Sequence, residues 1–258
     1  LGQQAAEAGG QVEVLAGNHD DFLISFLTDR VGAGRADAFE TCRQGGYDGL
    51  LELGRFGSLS LQSAVRNYDT LAPPEQEQAW QQLKAERASI LATMRTDPTG
   101  RELLETITKM KLVTEHDDTL FTHTNPTNEM MELLVRDPSM SIKEVLARVN
   151  SAYRAGLKAL LIDDTEPDSS YADMQNLFLN TDNRSNLPDS TIALRLKAKG
   201  VNAILHGHTD DGVERDHGLD AVGAGRLGAG RHHRQRADRH HQIGALALED
   251  ARQGLADE

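Results

Sequence analysis

The sequence predicts an α/β fold, and three observations predict it. Three short β-prone runs, at residues 11–17, 119–122 and 201–205, stand far apart along the chain. Long stretches of helical periodicity separate them, so the order reads strand, helices, strand, helices, strand. The composition is that of an ordinary globular chain, 38% hydrophobic and 26% charged over 258 residues, which suits one large domain or two small ones.

The elements follow in chain order. "QVEVLAG", 11–17, is bounded by glycines and reads as a strand. "DFLISFLTDRV" then spaces Phe22, Leu23, Phe26 and Leu27 along one helical face. Residues 30–115 read mostly as helix. The clearest piece is "PPEQEQAWQQLKAERASILATMRTDPTG": Pro73 and Pro74 open it, acids crowd its first turns and "DPTG" closes it. Trp80, Leu83, Ile90, Leu91 and Met94 mark its buried side. "GRELLETITKMK" is a second helix, with Leu103, Leu104, Ile107 and Met110 as its apolar positions. "DDTLFTHTNP" carries the next strand, 119–122, ended by Asn125-Pro126. The helices "NEMMELLVRD" and "SIKEVLARVNSAYRAGLKALL" come after it. The region 163–190 reads as acidic and turn-rich with an apolar "NLFLN" inside, and its acids Asp163, Asp164, Glu166 and Asp168 read as a solvated loop. "STIALRLKAKG" is a helix with Ser190 as N-cap and Gly200 just past its end. "VNAILHGHTDD" is the third strand running into a turn. The last stretch, rich in Gly, Ala, Arg and His and without aromatics, shows weak periodicity and no element is assigned to it.

Composition narrows the function classes. Aromatics make up 4%, so the core rests on Leu, Ile, Val, Ala and Met. A formal charge of −13 argues against nucleic acid and anionic membrane as partners, because like charges repel. It leaves open a small phosphorylated substrate held through a metal, whose charge reverses the local field. The single cysteine, Cys42, excludes a disulfide framework within the chain and thiolate-rich metal sites. No apolar run reaches the ~18–20 residues of a membrane span, and "LGQQAAEAGG" has no basic start or apolar centre of a signal peptide. A cytoplasmic location is expected.

Each β-prone run ends in ligand-type side chains. The first ends in Asn18 and His19, the second in His123, the third in His206 and His208. In open α/β sheets, ligands gather beyond the carboxyl ends of strands. Three sequence-distant imidazoles and an amide can therefore meet in one crevice. Imidazole nitrogen with amide or carboxylate oxygen suits Mn, Fe, Zn, Ni or Co rather than Ca or Cu(I).

"GNHD", then "FTHTNP", then "HGHT" resembles the calcineurin-like metallophosphoesterases, and within them the serine/threonine protein phosphatase-like branch. That family orders five motifs: DxH, GDxxDR, GNH(D/E), a strand-end His, and GHT or GHxH. The last three stand here in order, and the resemblance spans residues 11–211. It implies a four-layer α/β/β/α sandwich with two divalent metal ions at the strand ends. By position, Asn18, His123 and His208 would ligate one metal, and His19 would protonate the leaving alkoxide. Two cations about 3.5–4 Å apart can activate a bridging hydroxide and hold the phosphoryl oxygens for in-line attack. Acid catalysis then assists the leaving group by roughly 10²–10⁴. Arg184, in "FLNTDNRS" between the last two His motifs, is the candidate phosphate clamp. His206 is read as structural or as an outer partner of the site, Asp210 and Asp211 as turn carboxylates, and His232, His233, His240 and His241 as surface residues.

The departures from the pattern are as informative. Only 16 residues precede Gly17, and neither DxH nor GDxxDR is among them. The bridging Asp, the remaining ligands of the first metal, the Asp that orients the catalytic His and one phosphate-binding Arg are missing with them. The chain is thus expected to be a fragment, or a mis-started frame, of a longer phosphatase. Residues 1–211 are expected to form a metallophosphoesterase-like domain lacking its first strands. Within it, 30–115 is a helical insertion that either caps the site or covers the sheet edge. Residues 212–258 form a low-complexity tail, either disordered or the product of a shifted frame. The expected function is hydrolysis of a phosphoprotein or small phosphomonoester by the complete protein. Its rivals are a catalytically inactive chain with an incomplete metal half-site, and a non-hydrolytic binding module.

Overall fold

The computed structural model describes residues 9, 12–30, 38–45, 48–124, 126–179, 190–207 and 215–218. Helices and strands are mixed, as expected for the α/β class, with helix in large excess. The chain divides into two compact units. One takes the residues up to Asn18, Lys109–Gly156 and the described residues from Asp168 on; the other takes His19–Thr108 and Leu157–Pro167.

The first unit holds a four-stranded sheet: β1 (Val113–His116), β2 (Thr119–Thr122), β3 (Ala203–His206) and β4 (Arg215–Gly218), in that spatial order. β2 and β3 run parallel, with Thr122 opposite His206, while β1 and β4 flank them antiparallel. β1 and β2 form a two-residue hairpin whose corners, Asp117 and Asp118, have φ of 47° and 62°. Both angles belong to the turn that matches strand twist, and Asp is among the few non-glycine residues that tolerate them.

Two of the three expected strands are present as β2 and β3. The first is not: 12–16 contributes only a parallel bridge, Leu15 to Lys111, with the Ala16 amide donating to Lys111 O at 2.8 Å and the Lys111 amide to Val14 O at 2.9 Å. Val12 and Val14 stay 48% and 39% exposed, so their β-forming side chains are only partly packed. β1 was not expected at all, since "VTEH" carries two β-formers and two polar residues, and it is held by partners distant in sequence. The buried amide of Asn150 accepts from the Leu112 amide at 2.8 Å and donates to Val113 O at 2.8 Å, which satisfies backbone groups at this sheet edge. β4 lies inside the segment to which no element was assigned.

The Glu13 carboxylate anchors the 12–16 run through Lys111 Nζ and Thr114 Oγ1. Partial burial pushes its pKa up, but the two hydrogen bonds and the Lys111 charge outweigh that and leave it below the ordinary 4.5. A depressed carboxyl stabilises the fold above its unfolded value and loses that contribution as pH falls through the folded value. Glu13→Gln is therefore expected to lower stability at neutral pH and to flatten its decline below pH 4.5, read from denaturant midpoints across an acid series.

Helices α6 (Asn128–Val135), α7 (Ile142–Lys158), α8 (Ser169–Leu179) and α9 (Ser190–Ala198) complete this unit. Thr127 caps α6 by accepting from the Met130 amide at 3.1 Å. Ser141 and Glu144 cap α7 reciprocally: Glu144 accepts from the Ser141 amide at 2.8 Å and Ser141 Oγ from the Glu144 amide at 3.3 Å. Gly200 ends α9 as expected. Its φ is +86°, its amide donates to Lys197 O and the Val201 amide to Leu196 O, with Leu196 and Val201 both buried beneath the turn. Leu112, Val113, Leu120 and Ile204 of the sheet layer, Met130, Met131, Leu134, Tyr153, Phe178 and Leu196 form the core.

The second unit is helical over its described residues. It contains α1 (Asn18–Thr28, from His19 on), α2 (Ala38–Gly45), α3 (Leu59–Arg66), α4 (Pro73–Thr96) and α5 (Pro98–Ile107). Turns of 3₁₀ helix at Asp48–Phe56 and Tyr68–Thr70 and a π turn at Ala159–Asp163 join them. All five residues expected on the buried side of α4 are buried, and Ala79 joins them. "DPTG" does more than close α4. Asp97 Oδ1 accepts from the Gly100 amide at 2.8 Å, so the same residue starts α5, which ends at Ile107 rather than running on to Lys111. α1 is buried almost all round, Asp21, Ile24 and Ser25 included, rather than along a single stripe. Phe39 bridges Phe26 and Trp80, its ring 5.7 Å from each. Burial pushes the Cys42 thiol up to about 12, which makes it an inert core residue.

Candidate functional site

β2 ends at Thr122, and the next residue is His123. Its Nε2 lies 2.8 Å from Oδ1 of Asn18, a residue 105 positions away. In the neutral ring this contact sets Nε2 as the donor and Nδ1 as the acceptor. Asn18 is 6% exposed, so its amide is held by the fold rather than by solvent.

Gly17 makes the approach possible. A Cβ there would lie 2.9 Å from His123 Cε1 and 3.1 Å from Nδ1, inside van der Waals contact. The imidazole therefore packs flat on the Gly17 backbone. Gly17→Ala is expected to push the ring off this surface and break the contact with Asn18. The His123 ring resonances in a ¹H–¹⁵N spectrum would report it; unchanged shifts would mean that the backbone yields instead.

The parallel pair β2–β3 brings its carboxyl ends side by side. The Gly207 amide donates to Thr122 O at 3.4 Å, and a Cβ at Gly207 would sit 3.6 Å from His123 O. The chain that leads to His208 thus passes beside His123. His208 itself, with Asp210 and Asp211, lies outside the described residues, as does Arg184. His206 is 3% exposed and its Nδ1 lies 3.0 Å from Gly207 O, which suits the structural role expected of it. His19, next in the chain after Asn18, is exposed, with its ring tilted against Phe22 at 5.9 Å. Asp163, Asp164, Glu166 and Asp168 are exposed as expected, with Lys158, Arg95 and Arg30 pairing the first three.

Two features of this site escaped the sequence reading. Gly17 was read as a boundary, not as the floor under His123. Thr122 and Thr124, both buried, flank His123 and direct their hydroxyls to Thr124 O and Phe178 O, each at 2.9 Å. The signal was the pattern Thr-His-Thr itself: hydroxyls on either side of a ligand-type residue at a strand end.

The donor pair fits a divalent cation. Two donors on one ion at about 2.1 Å and near right angles are about 3 Å apart, close to the Asn18–His123 separation. Among the described residues no group of three or more His, Cys, Asp or Glu is gathered. Comparison with known proteins gives no match: no family model, no curated sequence and no solved structure corresponds to this chain.

Proposed function

We propose that the chain carries one metal half-site of a dinuclear, metal-dependent phosphoester hydrolase of the calcineurin-like metallophosphoesterase type. The observation that carries the reading is the 2.8 Å approach of His123 Nε2 to Asn18 Oδ1 across two motifs of that family. The passage of the β3 end beside His123 supports it, because His208 is the next residue after Gly207.

In this reading Asn18, His123 and His208 hold a cation (Mn, Fe, Zn or Ni), and the sheet is one layer of the four-layer sandwich. The bound metal supplies Lewis acidity toward a phosphoryl oxygen. His19, exposed to solvent, holds the proton that the leaving alkoxide takes up. Arg184 orients the phosphoryl group through its planar fork. The substrate is a phosphoprotein or a small phosphomonoester in the cytoplasm, not a nucleic acid, in keeping with the charge of −13.

A second reading has its own observation. Among the described residues no group of three or more His, Cys, Asp or Glu gathers, and in this reading the chain binds one metal weakly and does not turn over substrate. Hydrolysis of p-nitrophenyl phosphate with added Mn²⁺, compared with His19→Ala, decides between the two. Turnover that His19→Ala removes supports the enzyme. Mn²⁺ binding without turnover, the result expected of this chain alone, supports the inactive half-site. Absence of Mn²⁺ binding overturns both.

A further inference from the structure

We propose that Thr124 is a positioning residue that holds the His123 imidazole against Asn18. Its functional weight rests on the reading of that pair as metal donors. β2 stops at Thr122, and His123 and Thr124 follow directly after it. Two hydroxyls brace this stretch. Thr122 Oγ1 donates to Thr124 O at 2.9 Å, which closes a small loop around His123. Thr124 Oγ1 donates to Phe178 O at 2.9 Å, which ties that loop to the last turn of α8.

The two bonds run in one direction, each hydroxyl giving its only proton to a carbonyl. Thr124 is 1% exposed, so water cannot stand in for its hydroxyl. The ring of His123 has a steric floor at Gly17 and a polar contact at Asn18. Thr124 braces the backbone that carries the ring, through a helix remote in sequence. Its hydroxyl is given to Phe178 O, so Thr124 acts through the backbone of its neighbour His123.

The test uses the full chain with Thr124→Val, which keeps the shape and removes the donor, and Thr124→Ser, which restores it. The first readout is the ¹⁵N signature of the His123 ring without metal, assigned by its loss in His123→Gln. The wild type is expected to show the Nε2–H tautomer; Thr124→Val is expected to show a mixture, and Thr124→Ser the wild-type pattern. The second readout is Mn²⁺ affinity by calorimetry, expected to fall about tenfold in Thr124→Val, the scale of losing an outer partner of a metal ligand. A Thr124→Val chain that melts earlier but keeps both the ring signature and the affinity overturns the proposal. The ring signature decides the proposal by itself, so a wild type that binds no Mn²⁺ overturns the metal reading and leaves the positioning result standing.

Discussion

Alanine at position 123 is expected to lower the affinity of the chain for Mn²⁺ by more than about 100-fold. Losing an outer partner of a metal ligand already costs roughly 10–100-fold, and His123 is proposed as a ligand itself. What remains near Asn18 is a neutral amide oxygen, a weak donor without the imidazole 2.8 Å away. The imidazole must be neutral to offer a nitrogen to the cation, so affinity in the wild type is expected to weaken toward acid pH. Asn18→Asp is the informative companion. It puts a charged oxygen where the neutral one stands and is expected to raise affinity. If the pair is only a buried hydrogen bond, His123→Ala lowers stability by about 1–3 kcal/mol and neither variant changes Mn²⁺ binding. Calorimetric titration of the three proteins separates these outcomes.

The second large effect lies in the core of the same unit. A Cβ on Gly156 of α7 would fall 2.2 Å from Cδ2 and 2.4 Å from Cγ of Tyr171 on α8. Tyr171 has no room to retreat, because its ring stacks on Tyr153 at 5.6 Å with an interplanar angle of 10°, and both rings are buried. Overpacking of a close-packed core costs about 1–3 kcal/mol, and a contact this short against a rigid ring belongs at the upper end. Gly156→Ala is expected to destabilise by about 3 kcal/mol, a fall of roughly 10 °C in melting temperature for a chain of this size. Adding Tyr171→Ala, which removes the obstructing ring, is expected to make the double variant more stable than the sum of the singles. A Gly156→Ala chain within about 0.5 kcal/mol of wild type would mean that α7 and α8 separate freely.

The sequence and the structure agree where local chemistry decides. Pro73 at the start of α4, its apolar spacing and the Gly200 turn are local signals, and each stands where the pattern put it. The strand-end position of His123 is local too, since β-formers precede it and Asn125-Pro126 follows. The misses are tertiary. Residues 113–116 become a strand because Asn150 and β2 satisfy their backbone, not because their side chains favour it. Residues 11–17 look like a strand, yet Val12 and Val14 stay partly exposed, and a single bridge is left. α1 carries polar residues that suggest a wet face, but Asp21 and Ser25 are buried among its apolar ones. At the site, residue types singled out Asn18 and His123, while the Gly17 floor and the threonine hydroxyls are relations between atoms that spacing alone does not reveal.

The central claim is that the amide of Asn18 and the imidazoles of His123 and His208 share one cation. Crystals of the chain grown with Mn²⁺ and measured at the manganese absorption edge test it most directly. The account predicts one anomalous peak bonded to all three side chains at about 2.0–2.3 Å. A peak at other residues, or a His208 side chain turned away from the Asn18–His123 pair with no peak between them, would contradict it.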